Sequence, residues 1–324
     1  MPEYIKVFQN ENLSKNRIVS KGVLVNLEEI FQENDLILID GCMASGSNLS
    51  REIYNIRSLN SINRDMIDKG NQNISFFREI IQNEKSFTIK EIGEEFYNYV
   101  RHIGNCLNYH SRKENNSRKL RRRASSEIRN VVYSETEEVR ETNIEFLRNY
   151  QDSLYDIYNL IKRNSLNIKD KRYEILTEII RLIDNKIGLQ KDAGYNYYGK
   201  GELPKTSIND DKLVAALYYG CIFLKKKTAI LSCDSDFVRI MGITPYLMGA
   251  YNFFPYNGIF RDMINESKFN LYIGDANRVK INKRFFEFPL EYEKEFKIRN
   301  ISDEENNILK SKIDDLWKEI YEIQ

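Results

Sequence analysis

The chain reads as an α/β protein built on a parallel sheet, and three observations carry that reading. Leu36-Ile37-Leu38-Ile39 and Ala229-Ile230-Leu231 are short, unbroken aliphatic runs, the pattern of strands buried on both faces. Each runs out into carboxylates, Asp40 after the first and the pair Asp234 and Asp236 after the second. Between them, Leu213-Val214-Ala215-Ala216-Leu217-Tyr218-Tyr219 is too continuously apolar for a surface helix. It is expected as a buried helix with Asp210 and Asp211 in its first turn.

Taken in order, residues 1–30 hold short mixed segments that suit an edge strand or a cover for one. Residues 47–83 have a helical pattern, with Ile53, Ile56, Leu59, Phe76, Phe77, Ile80 and Ile81 as packing positions. Ser86 to Ile89 is short enough to be the second strand of the sheet. Beyond it Ile92, Phe96, Tyr99 and Ile103 recur at helical spacing. At about 100° per residue Glu95 flanks that stripe and Glu94 points nearly opposite.

Residues 112–129 form the chain's one strongly basic run, which includes Arg118, Lys119, Arg121, Arg122 and Arg123 against only Glu114 and Glu127. As a helix it would carry charge around most of its circumference and bury no face, so it is a solvated segment, a phosphate-backbone site or a site for an acidic protein. From 135 to 190 the pattern turns amphipathic. Leu147, Leu154 and Ile161 stand seven apart, as do Ile168, Ile175, Leu182 and Leu189, with the polar break Arg163-Asn164-Ser165 between the two sets. An antiparallel helical hairpin is expected there.

A glycine-rich loop from Gly194 to Lys205 then brings Tyr195, Tyr197, Tyr198 and Lys200 just ahead of Asp211. Exposed aromatics beside cations suit base stacking and phosphate contact with single-stranded RNA; in a chain with 21 tyrosines, packing on the core is the competing account. Farther on, 269–275 and 285–289 look like strands. Ser302 and Glu305 make a capping box for a last helix striped by Leu309, Ile313, Leu316 and Ile320.

The order of acids and elements resembles that of PIN-domain proteins, a superfamily of metal-dependent ribonucleases that includes toxins of toxin–antitoxin pairs. Asp40 fits the family's strand-ending Asp, and Ile92 to Phe96 place Glu95 in its apolar-Glu-apolar helix. Asp211-Lys212-Leu213-Val214-Ala215-Ala216 fits the helix that opens on Asp. Ser232-Cys233-Asp234-Ser235-Asp236-Phe237 fits the strand ending in Ser-x-Asp-x-Asp-Phe. The family commonly follows its first Asp with Thr or Ser and then Asn. Here Gly41-Cys42 follow, so the supporting hydroxyl or amide comes from Ser45, Ser47 or Asn48, or is missing.

The resemblance implies a PIN-like α/β/α core over 30–110 and 191–245, a helical insertion over 111–190 and a C-terminal α+β extension over 246–324. It implies a site of Asp40, Glu95, Asp211, Asp234 and Asp236 that holds Mg²⁺ or Mn²⁺ and hydrolyses RNA to leave a 5′-phosphate. Asp40 and Asp234 are assigned as inner ligands. Carboxylates gathered this closely raise one another's pKa unless a cation lies among them, and an all-oxygen set suits a hard divalent ion. Arg118, Lys119, Arg121, Arg122, Arg123, Tyr197, Tyr198 and Lys200 are the expected nucleic-acid contacts. A protein inhibitor or antitoxin is the other expected partner. The alternatives are a PIN-like RNA-binding or interaction module whose catalysis has lapsed and a structure-specific DNA nuclease. A haloacid-type phosphatase fits poorly, since Asp40-Gly41-Cys42 lacks the second acid of an Asp-x-Asp.

Composition narrows the remaining classes. A net charge of +1 in 324 residues, 30 % of them charged, means that any basic surface is local. The four cysteines show no CxxC pairing and read as reduced thiols of a cytoplasmic protein. No apolar run approaches the roughly 20 residues of a membrane helix. A zinc site or a histidine-based triad would have to use one of the two histidines, His102 and His110, and His102, which follows the Phe96 and Tyr99 stripe, is read as structural.

Overall fold

The computed structural model describes residues 3–5, 18–44, 64–121, 134–188, 208–234, 268–274 and 280–287, together with single positions from 237 to 241 and from 304 to 319. Among the described residues the strands are β1 (Glu3–Ile5), β2 (Ile18–Val25), β3 (Leu36–Ile39), β4 (Ser86–Ile89), β5 (Ser165–Leu166), β6 (Thr228–Ser232), β7 (Phe269–Gly274) and β8 (Ile281–Glu287). The helices whose full ranges fall among the described residues are α1 (Leu27–Glu33), α2 (Arg64–Ile81), α3 (Lys90–Arg121), α4 (Ser134–Arg163), α5 (Lys171–Gly188) and α6 (Ile208–Ile222). Packing divides the chain into a first unit of residues 1–40, 85–89 and 166–324 and a second of 41–84 and 90–165. Among the described residues no helix is long and apolar enough to cross a membrane.

The sheet order is β1-β2-β8-β7-β6-β3-β4-β5. The four strands β7, β6, β3 and β4 run parallel, and β8, β2 and β1 continue the sheet antiparallel. The expected parallel sheet is therefore the core of a mixed one. Every residue of β3 and of β6 is buried, as their unbroken aliphatic runs require. The segments 269–275 and 285–289, expected as strands of unspecified topology, supply β7 and the end of β8.

Helices cover both faces of β7, because successive strand residues point to opposite sides. Phe269 meets Tyr218 of α6 edge to face at 5.9 Å. On the other side Asn270 donates to Asn34 Oδ1 at 2.7 Å, and the Tyr272 hydroxyl donates to Glu33 Oε2 at 2.7 Å. Lys283 reaches both Glu33 oxygens, at 2.9 and 2.6 Å. Burial raises the Glu33 carboxyl, and the bonds from Lys283 and Tyr272 outweigh it, so the group titrates below its ordinary range. That pairing places a cation at the C-terminal end of α1, where the helix dipole disfavours a lone carboxylate.

Helix α6 is buried from Leu213 to Ile222. Its fit depends on Gly220: a Cβ there would lie 2.5 Å from Thr228 Oγ1 and 3.2 Å from Leu36 Cδ2. Helix α5 packs on α6 through a polar knot at its start. Asp170 Oδ1 accepts the Arg172 backbone N–H at 2.9 Å, its carboxylate takes both Nε and Nη2 of Arg172, and the Tyr219 hydroxyl donates to it at 2.7 Å. The Arg172 guanidinium is the main cause that holds the Asp170 carboxyl down at about 2.

In the second unit α3 and α4 run antiparallel, since Gly93 faces Ile161 while Gly104 faces Gln151. Leu147, Tyr150, Leu154, Ile157 and Ile161 are all buried, alternating three and four apart as a helix-pair seam does. Against them lie Ile92, Phe96, Tyr99 and Ile103, also buried, and Phe77 of α2 stacks on Phe96 at 6.1 Å. The hairpin expected around 163–165 is thus corrected. The break at Asn164 is real, but α4 takes α3 as its antiparallel partner in one unit and α5 takes α6 in the other. A heptad stripe says that a helix needs a partner and not which one.

Candidate active site at the carboxyl edge of the sheet

Strand β3 leads to β4 on one side, whereas β6 leads to β7 on the other, so the chain departs in opposite directions from the adjacent ends of β3 and β6. In open α/β sheets such a divergence leaves a crevice beyond the carboxyl ends, where ligands bind. The register pairs Ile39 with Leu231, and the Asp40 N–H continues the ladder to Leu231 O at 3.0 Å. One step on, Asp40 and Ser232 are opposite neighbours on the same face.

Their side chains meet. Ser232 Oγ donates to Asp40 Oδ2 at 2.7 Å and accepts the Asp234 N–H at 2.8 Å. One hydroxyl therefore orients the carboxylate of β3 and fixes the turn that carries Asp234 off β6. Asp40 is 8 % exposed and Ser232 fully buried, whereas Asp234 is half-buried. Ser232 supplies Asp40 with a hydroxyl; Ser45, Ser47 and Asn48, the positions expected to offer one or an amide, lie outside the described residues. The Ser-x-Asp-x-Asp motif contains Ser232, but the motif alone marks only a strand end and not the partner of the hydroxyl.

Asp211 is buried at 3 % exposure in the first turn of α6. Gly220 of that helix stands over Thr228 and Leu36 at the start of β6 and β3. Nine helical residues back along α6 cover about 13 Å, and four strand residues from Thr228 to Ser232 also cover about 13 Å. Asp211 accordingly reaches the level of the carboxyl edge.

No family model, curated protein or solved structure matches the chain. Among the described residues no three His, Cys, Asp or Glu side chains come together as a metal-holding group. Asp236, the remaining acid expected on this edge, lies outside the described residues. The carboxylates of Asp40, Asp211 and Asp234 offer hard oxygen atoms, the chemistry that Mg²⁺ and Mn²⁺ favour, and the thiols of Cys42 and Cys233 lie near Asp40 and Asp234 in sequence.

Glu95 belongs to the second unit. Its Oε1 accepts the Tyr99 hydroxyl, and a Cβ on Gly41 would come 3.9 Å from its Oε2. Tyr99, expected only to pack, thus also orients a carboxylate. Glu95 is half-buried while Glu94 is exposed and ion-paired to Lys90, as the helical phase requires. Arg118, Lys119 and Arg121 fall on the helical backbone at the end of α3, with side chains outside the described residues. Arg122, Arg123, Tyr197, Tyr198 and Lys200 lie wholly outside them.

Proposed function

We propose that the carboxyl edge of the first unit is the active site of a PIN-like endoribonuclease that uses Mg²⁺ or Mn²⁺. The observation that carries the proposal is the Ser232 bridge at the divergence of β3 and β6, in which one hydroxyl bonds Asp40, 192 positions away in the chain, and the Asp234 N–H. A bound divalent ion would supply an activated water and charge stabilisation at a phosphodiester. Asp40 and Asp234 would hold it, Asp211 is a further carboxylate at the level of the edge, and Asp236 is the further ligand that the sequence motif suggests. Ser232 positions both inner groups, fixing the Asp40 carboxylate with one bond and the Asp234 backbone with the other. Glu95 is kept as a functional candidate of the second unit.

The test is Mn²⁺ binding, followed by electron paramagnetic resonance, beside cleavage of single-stranded RNA, duplex RNA and DNA. The proposal expects the native chain to bind Mn²⁺ and cut RNA to 5′-phosphate ends, and Asp40→Asn to weaken both. Equal Mn²⁺ binding and cutting by a folded Asp40→Asn chain would remove Asp40 from the site.

A second reading is a PIN-like RNA-binding module without turnover. The residue after Asp40 favours it, because Gly41 supplies no side-chain donor, and a Cβ there would come within 3.2 Å of Ile92 Cγ2. RNA binding that needs no metal, with no cleavage by the native chain, would select it.

A further inference from the structure

We infer that the second unit carries a stacking platform for single-stranded RNA, formed by Tyr97 of α3 with Tyr155 and Tyr158 of α4. The choice of RNA rests on the nuclease reading above; the platform itself rests on three rings on one surface. Tyr97 and Tyr158 have centroids 5.3 Å apart, and Tyr158 and Tyr155 are 5.9 Å apart. Tyr97 and Tyr155 are each 47 % exposed, although the seam residues beside them in sequence, Phe96 and Leu154, are fully buried. These rings therefore lie over a closed core and are not part of it.

Two features favour a nucleic acid over a protein as the occupant. The large apolar side chains exposed on α3 and α4, among the described residues, are Tyr97 and Tyr155 alone. Among the described residues no row of further exposed apolar anchors at helical spacing accompanies them, as a helix-docking groove uses, whereas π faces beside cations are what a sequence-tolerant strand site needs. The charges around the rings agree. Glu94 is paired with Lys90 and Asp156 with Arg78, leaving Asp152 as the exposed acid before Tyr155. Arg101 and Lys162, each four residues beyond a platform tyrosine and so beside it on its helix, are exposed and make no ion pair among the described residues. The same helix α3 continues from Tyr97 into the basic run that starts at Arg112, about 22 Å farther along its axis.

Anisotropy of a fluorescent single-stranded RNA dodecamer, titrated with the full chain in EDTA so that cleavage plays no part, tests the platform. Tyr97→Ala combined with Tyr155→Ala should weaken binding about tenfold or more, because each lost ring removes a stacking partner. The corresponding Phe pair keeps both rings and should bind like the native chain. Arg101→Gln with Lys162→Gln should lower the slope of log affinity against log salt by about 1.4. A folded Ala pair that binds RNA as the native chain does overturns the platform, even if it loses a protein contact instead. So does a native chain that binds no single-stranded RNA. RNA binding through the tyrosines without Mn²⁺-dependent cutting would leave the platform standing and refute the nuclease. Cutting abolished by Asp40→Asn but untouched in binding and rate by the Ala pair would do the reverse.

Discussion

Ser232 hydrogen-bonds Asp40 at 2.7 Å across adjacent parallel strands, and the two residues are 192 positions apart in the chain. Nothing local produces that contact. It follows from the β3–β6 register, which puts both residues one step past the last paired positions and on one face.

Replacing Ser232 by Ala removes a bond to a buried carboxylate and another to the Asp234 N–H. A loss of about 1–3 kcal/mol is expected from denaturant unfolding. Cleavage should fall with it, while Ser232→Thr keeps the hydroxyl and retains part of the rate. Native-like cutting by Ser232→Ala would show that the hydroxyl has no positioning role.

Gly220→Ala and Gly104→Ala separate a rigid contact from a yielding one. At Gly220 the new Cβ would meet the buried, β-branched Thr228 at 2.5 Å, whereas at Gly104 it would meet the end of a Gln151 side chain at 2.7 Å. Overpacking should cost the first about 1–3 kcal/mol. The second should cost less, since the glutamine can swing aside, giving up its bond to Val100 O at 2.9 Å, while alanine favours the helix by about 1 kcal/mol. Equal melting temperatures for the two variants would contradict the packing described for α6.

Acid should weaken the α5–α6 contact through Asp170. Its carboxyl titrates at about 2 in the folded chain, below its ordinary value of 3.8, so its contribution is complete above that ordinary value. The contribution is then lost as pH falls from about 4 through 2. Asp170→Asn should destabilise the chain at pH 7 and flatten this part of the acid dependence. Unfolding curves at pH 7 and pH 2.5 for both proteins make the comparison.

The legible parts of the fold were those in which one segment sufficed to decide. The runs 36–39 and 229–231 announced doubly buried strands, and the continuous apolarity of 213–219 announced a helix covered all round. The phase of Ile92, Phe96 and Tyr99 put Glu95 beside the buried stripe and Glu94 in solvent. What the sequence left open was pairing. The heptads of 147–161 and 168–189 resemble two halves of one hairpin, yet the glycines at 93 and 104 admit α3 against α4. Ser232 was missed for the same reason, because its partner is fixed by a register that no segment encodes alone.

Lys225 has φ 54°, in the left-handed region, at the turn between α6 and β6. A lysine there carries a steric cost of about 1–2 kcal/mol that glycine avoids. Lys225→Gly should therefore unfold at equal or higher denaturant concentration than the native chain; a marked drop would mean that the lysine side chain contributes more than the backbone loses.

The central claim is that Asp40 and Asp234 form one metal-dependent cleavage site. Its most direct measurement is the cutting of single-stranded RNA by the native chain and by Asp234→Asn, each with Mn²⁺, Mg²⁺ or EDTA. The account predicts cutting by the native chain with either metal, none in EDTA, and none by a folded Asp234→Asn. Undiminished cutting by Asp234→Asn, or no cutting by a pure and folded native chain, would contradict it.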